Sequence, residues 1–140
     1  MGHPSLPSHE LIDHTSEVQI RVRAASLGEL LAEAGRALAE LQLRGGERPA
    51  SPESKRLRLE ASDRERLVVD WLNELIFLAE TERWVATEFR IERADDRSVA
   101  ATATGVEVSE PRGLVKAATM HGLRVADVDG MIEGEVILDI

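Results

Sequence analysis

The sequence predicts an α+β domain in which two helices pack on one face of a mostly antiparallel β-sheet. Three observations predict it. Several short segments alternate apolar and polar residues with a period of two, as half-buried strands do. Two longer segments carry apolar residues at helical spacing, each opened by a Ser followed three residues later by a Glu. The order is strand, helix, strand, helix, then several strands, and two helices are too few to cover both faces of a parallel sheet.

Residues 1–8, with Pro4 and Pro7, read as a poorly ordered lead-in, and residues 9–140 as a single domain. From Glu17 to Arg23, Val18, Ile20 and Val22 face one way while Gln19, Arg21 and Arg23 face the other, which makes a strand with one wet face. Ser26 and Glu29 form a capping box, each side chain satisfying a free backbone N–H at the other position. Leu27, Leu30, Leu31, Ala34, Leu38 and Leu41 then mark a helix to about Leu43, ended by Gly45–Gly46. Arg44 to Ser54, with Pro49 and Pro52, is expected as a surface loop. Leu57, Leu59 and Ala61 alternate with Arg56, Arg58 and Glu60 as a second strand. Ser62 with Glu65 repeats the capping signature before a helix from about Asp63 to Arg83. The apolar arc of that helix is broad, so it is expected as the central buried one. Phe89 and Ile91, then Val99, Ala101 and Ala103, read as two strands joined through Ala94–Arg97. Val106 and Val108 lead to a turn around Pro111–Gly113. Val115 to Met120, Leu123 to Val128 and Met131 to Leu138 follow, the last two joined by Asp129–Gly130, a hairpin turn that needs positive φ.

Composition narrows the function. The chain has 140 residues, 43% hydrophobic and 31% charged, with a formal net charge of −9. There is no Cys, which excludes disulfides, thiolate zinc sites, iron–sulfur clusters and Cys nucleophiles. The longest apolar run, Leu75 to Ala79, is far short of a membrane span, and the first ten residues carry no secretory signal, so a cytoplasmic protein is expected. The negative charge argues against direct binding to phosphate backbones and for proteins, cations or small molecules as partners. Glycine-rich phosphate loops and Gly-x-Ser-x-Gly elbows do not occur.

Three places offer chemistry. Asp13-His14-Thr15-Ser16-Glu17 holds two carboxylates, an imidazole and two hydroxyls within five residues, enough oxygen for a hard cation. The plain alternative is turn chemistry at the start of a strand. The C-terminal stretch from Val125 has five carboxylate side chains and no Lys or Arg, and Asp139 stands next to the α-carboxylate of Ile140. Carboxylates fixed close together repel unless a cation joins them. A solvated acidic end is the alternative there. Lys116 and His121 are the third place: a Lys that pairs with those acids or sits on a wet face, and a His that acts as base, ligand or turn residue.

Four segments together resemble the archease family: Asp13-His14-Thr15-Ser16-Glu17-Val18, Val69-Asp70-Trp71-Leu72-Asn73-Glu74-Leu75, Val115-Lys116-Ala117-Ala118-Thr119-Met120-His121-Gly122-Leu123 and the terminal Val136-Ile137-Leu138-Asp139-Ile140. The resemblance runs from about residue 9 to 140. It implies a small acidic α+β protein that is not an enzyme but a cofactor of the RtcB-type RNA ligase. Archeases promote the ligase's guanylylation from GTP with divalent metal, and its multiple turnover, in tRNA splicing and RNA repair. Carried over residue by residue, the resemblance puts the metal-site acids on Glu17 and Asp139, with the Ile140 carboxylate beside them, and the functional lysine on Lys116. Asp13, His14 and His121 are then supporting residues, and the metal is Mg²⁺, Mn²⁺ or Ca²⁺. Glu17 stands where the family usually has Asp, and Met120 where it usually has Tyr. Two other readings of the same residues are a metal-dependent hydrolase with His14 or His121 as base and a chaperone-like interaction module without metal.

Overall fold

The computed structural model describes residues 6–14, 16–43, 53–108 and 115–140; the side chains of Asp13 and His14, and the expected turn around Pro111–Gly113, lie outside the described set. The elements are β1 (Ser8–His14), β2 (Glu17–Ala24), α1 (Leu27–Gln42), β3 (Glu53–Glu60), α2 (Arg64–Glu82), β4 (Trp84–Asp95), β5 (Ser98–Glu107), β6 (Ala117–Val128) and β7 (Met131–Asp139). The class is α+β and every strand pair is antiparallel. The strands divide between two sheets rather than one, ordered β1-β2-β7-β6 and β3-β5-β4. Each helix packs on both, α1 on β2 and β4, α2 on β6 and β4. A period of two shows which face of a strand is wet but not which strand lies beside it, so this division has no sequence signal.

Local chemistry sets the helix ends. The Ser26 hydroxyl accepts the Glu29 N–H at 3.2 Å and opens α1 as expected. α2 is capped one residue later than the Ser62–Glu65 box suggests. Asp63 is the N-cap, and its carboxylate accepts the Arg66 N–H at 2.8 Å. Asp caps as well as Ser, and its charge also favours the positive end of the helix dipole. Arg83 closes α2 in the left-handed region, with φ 54.

The more buried helix is α1, not α2. Twelve of its 16 residues are buried, against nine of 19 in α2. Its Ala and Gly residues let neighbours close in. A Cβ on Gly35 would lie 2.5 Å from the Phe89 ring. That ring sits 5.6 Å from Trp71, centroid to centroid, and the Trp71 indole N–H donates to the Leu31 carbonyl at 2.8 Å, tying α2 to α1. No helix among the described residues is long and apolar enough to cross a membrane.

The first sheet differs from expectation in two strands. β1 pairs with β2 along its whole length, although Ser8 to His14 shows no alternation. It is an edge strand that buries little, so burial imposes little pattern on it. β6 is one strand where the sequence suggests two segments, Val115 to Met120 and Leu123 to Val128. Its pairing with β7 slips between Thr119 and Arg124, around Gly122 at φ +70. The Asp129–Gly130 turn has φ 51 and 77, both positive, as a two-residue hairpin of this type requires. The expected 44–54 loop enters β3 at Glu53, and 44–52 lie outside the described residues.

Candidate carboxylate site at one end of the first sheet

Strand register brings the chain's distant acids together. β7 runs between β2 and β6, so Asp139 stands opposite Glu17 on one side and Ala117 on the other. The Ile140 N–H donates to the Ser16 carbonyl at 3.1 Å, and the Lys116 N–H donates to the Asp139 carbonyl at 2.8 Å. Ser16 and Ile140 are thus the hydrogen-bonded pair. The next pair along, Glu17 and Asp139, is the non-hydrogen-bonded kind, in which side chains approach most closely. Their neighbours Val18 and Leu138 are buried in the core, so Glu17 and Asp139 share the opposite, partly exposed face.

Beyond the uncharged Gln19–Ile137 pair, that face is charge-matched. Arg21 stands opposite Glu135 and Arg23 opposite Glu133, both forming ion pairs at 3.6 Å. Arg124 reaches the same two glutamates from β6. Arg21 also pairs with Glu10 on β1 at 3.3 Å. Only at Glu17 and Asp139 does this β2–β7 ladder oppose like charges, and among the described residues neither carboxylate has an ion-pair partner. Directly opposed like charges destabilise a sheet. An oxygen-only, doubly negative pair held by two paired backbones is a donor set that suits a hard divalent cation. The described residues supply two side-chain carboxylates and no group of three or more metal-binding side chains.

Of the other candidates, Asp13, His14 and Lys116 lie at this end of the sheet and His121 does not. His14 is opposite Glu17 in the β1–β2 register, and Asp13 is opposite Val18, so the hairpin backbone delivers both to the same end. Thr15 lies outside the described residues; Ser16 turns the chain at φ 62. Lys116 is exposed and held beside Asp139 through its backbone. His121 is exposed on the irregular part of β6, beyond the Thr119–Ile137 pair, and register does not bring it to the Glu17–Asp139 end.

Two further residues bear on the site. Asn73 of α2 uses its side-chain amide like a strand backbone: it donates to the Ala118 carbonyl at 3.1 Å and accepts the Ala118 N–H at 2.8 Å. It thereby fixes the free edge of β6 two residues after Lys116. Its signals in the sequence are a polar amide next to the apolar residues of α2 and its place in the Val69–Leu75 segment of the resemblance. His9 of β1 bonds Glu33 at 2.7 Å through Nδ1 and Glu40 at 3.1 Å through Nε2, both on α1. Arg36 holds Glu33 at 2.9 Å. Burial, the largest single influence on the imidazole, lowers its pKa, but the hydrogen bonds and charges of Glu33 and Glu40 together hold it above the ordinary histidine value. This clamp fastens β1, and with it the hairpin at the site, to the helix layer.

Comparison with known proteins places the chain among relatives. Residues 9–140 match the model of the archease protein family. The chain is similar to protein archease of Methanothermobacter thermautotrophicus, 37% identical over 94 residues that make up 63% of this chain and 67% of that one. It is 30% identical to protein archease of Archaeoglobus fulgidus over 94% of this chain and 98% of that one. Its fold resembles the solution structure of Methanobacterium thermoautotrophicum protein 1598, with TM-score 0.74 and 31% identity over 94% of this chain and 98% of that one. It also resembles a Thermotoga maritima crystal structure described as an archease and possible chaperone, with TM-score 0.66 and 24% identity over 92% and 94% of the two chains.

Proposed function

The chain belongs to the archease family, and on that premise we propose that it is a non-enzymatic activator of an RtcB-type RNA ligase in the cytoplasm. In this reading it promotes ligase guanylylation and repeated turnover in tRNA splicing and RNA repair. The observation that carries the reading is the like-charge pair Glu17–Asp139 in an otherwise charge-matched ladder. Selection for stability alone would place an Arg or Lys there, as it does four and six residues away on β2. Glu17, Asp139 and the Ile140 carboxylate would hold a divalent metal, Mg²⁺, Mn²⁺ or Ca²⁺. When bound, the metal neutralises phosphate charge. Two side-chain carboxylates are too few to enclose Ca²⁺ but match the way Mg²⁺ is held, by one or two carboxylates with phosphates or water completing the shell. The ligase and its nucleotide would supply those remaining ligands.

The chain's own residues have separate tasks. Asp139 and Glu17 present negative charge at fixed separation. Lys116, anchored by Asp139 and by Asn73 through Ala118, presents a cation beside them for an anionic group. The hairpin backbone brings Asp13 and His14 to this end of the sheet. The net charge of −9 steers the molecule towards a basic, RNA-handling protein rather than towards RNA itself. We expect Asp139→Ala and Glu17→Ala each to lower archease-stimulated ligase guanylylation by about tenfold or more. Full stimulation by both variants would sink the proposal. The described resemblance to a possible chaperone supports a second reading, a protein-binding module whose acids hold no metal, and calorimetric titration with divalent ions separates the two.

A further inference from the structure

Among the described residues four large hydrophobic side chains are exposed: Leu6, Phe77, Met120 and Ile140. Register places three of them around the carboxylate site and the fourth away from it. Ile140 follows Asp139, and its N–H donates to the Ser16 carbonyl. Phe77 is located by α2, which runs antiparallel to β6. At the start of α2, Arg64 donates to the Val125 carbonyl at 3.4 Å and to Asp127 at 3.3 Å. Further along, Asn73 holds both backbone groups of Ala118. One more helical turn, about 6 Å, brings Phe77 level with Lys116, on the same side of the helix as Asn73. Met120 comes just after Ala118, where the pairing of β6 with β7 begins to slip. Leu6 precedes β1, whose Ser8 stands opposite Arg23 and whose His14 stands opposite Glu17, so it lies at the other end of the sheet.

Scattered exposed hydrophobics are ordinary, but apolar side chains gathered around a polar centre mark a protein contact. Phe77 is 53% and Met120 48% exposed, so each has apolar surface left to bury. Both residue types are enriched at the cores of protein interfaces. Lys116, with Asp70 and Glu74 on the outward stripe of α2, supplies a polar rim. A partner that completes the ligand shell of a cation at Glu17 and Asp139 has to cover the surface around them. A stable interface takes about 800 Å² of each partner, a disc of roughly 16 Å radius. Asp139 lies one strand spacing, about 5 Å, from β6, so Met120 and Phe77 fall inside that disc. Resting on the activator reading above, we propose that Phe77 and Met120, with the Ile140 side chain, are the apolar anchors by which this chain docks on its ligase partner. The partner's surface around its metal and nucleotide is then apolar where it meets them. The acids act on the metal, and the anchors hold the complex together.

The test is ligase guanylylation titrated with the full chain, which separates the concentration at half-maximal stimulation from the plateau. Phe77→Gln and Met120→Thr put good helix and strand formers at exposed positions, and circular dichroism checks that the variants keep their fold. Each substitution should raise the half-maximal concentration, the two together by about tenfold or more, and leave the plateau at the wild-type level. Leu6→Gln should change neither. The proposal is overturned by an unchanged half-maximal concentration in the folded variants, by a lowered plateau at saturation, or by an equal shift from Leu6→Gln. Self-association of the free chain that Phe77→Gln abolishes, with the ligase response unchanged, assigns the patch to a second copy and also overturns it. A wild-type chain that does not stimulate the ligase overturns the activator reading and the docking site together. Stimulation by the wild type with an unchanged response in the variants overturns the docking site alone.

Discussion

Glu17 and Asp139 combine two costs that cores and surfaces usually avoid: like charges, and a close cross-strand pair that cannot separate. A function that needs negative charge there explains both, and it gives a signed expectation. Asp139→Asn removes the repulsion, so in chelator-treated protein it should raise stability by about 0.2–1 kcal/mol in a denaturant titration. The same variant should lose heat of binding for Mg²⁺ or Mn²⁺ in calorimetry. Lower stability in chelator would contradict the repulsion. At His9 the expectation concerns pH. Its folded pKa is raised above 6.5, so the folded chain binds more protons than the unfolded one. The clamp's contribution is fully present below about 6.5 and is lost as pH rises through the raised value. The denaturation midpoint should therefore fall across that window, and His9→Gln should flatten the fall. Glu17 and Asp139 are legible in the sequence as acids near a hydroxyl-rich turn and at a strand end. Their opposition is not, because register between residues so far apart is set by the sheet. His9 gives no local signal, since both of its partners lie on a helix more than twenty residues away.

At the scale of elements, Asn73 ties α2 to the start of β6, as Arg64 ties it to the other end through Asp127 and the Val125 carbonyl. Asn73→Ala leaves the Ala118 N–H and carbonyl without their partners, at a cost of about 1–3 kcal/mol readable as a shift in the urea midpoint. It also loosens the strand that carries Lys116. Ligase stimulation by this variant should then fall even at temperatures where it remains folded, whereas a merely structural Asn73 would leave stimulation of the folded fraction intact. Elements whose chemistry is local are legible: Ser26 as a cap, Asp129–Gly130 as a positive-φ turn, and the wet and dry faces of β2. Elements defined by their neighbours are less so. β1 lacks alternation because it is an edge, α1 is buried by neighbours its small residues admit, and the β6 irregularity follows from Gly122 lying against Ile137.

At the scale of the whole molecule, both sheets turn charged residues outward. The first sheet ends in an unmatched acidic pair, and the second turns an arginine array outward. Two sheets sharing one helix layer keep these faces apart. The fold class was visible in the order of strands and helices; the arginine array was not, since Arg58 and Arg93 come together only by pairing on either side of β5. Activation of an RNA ligase with divalent metal, as proposed for this chain, is measured most directly by multiple-turnover sealing with an RtcB-type ligase. Added wild-type protein should raise the number of RNA ends sealed per ligase well above the unassisted level, only with divalent metal present, and Asp139→Asn should not. Turnover that is the same with and without the protein would contradict the account.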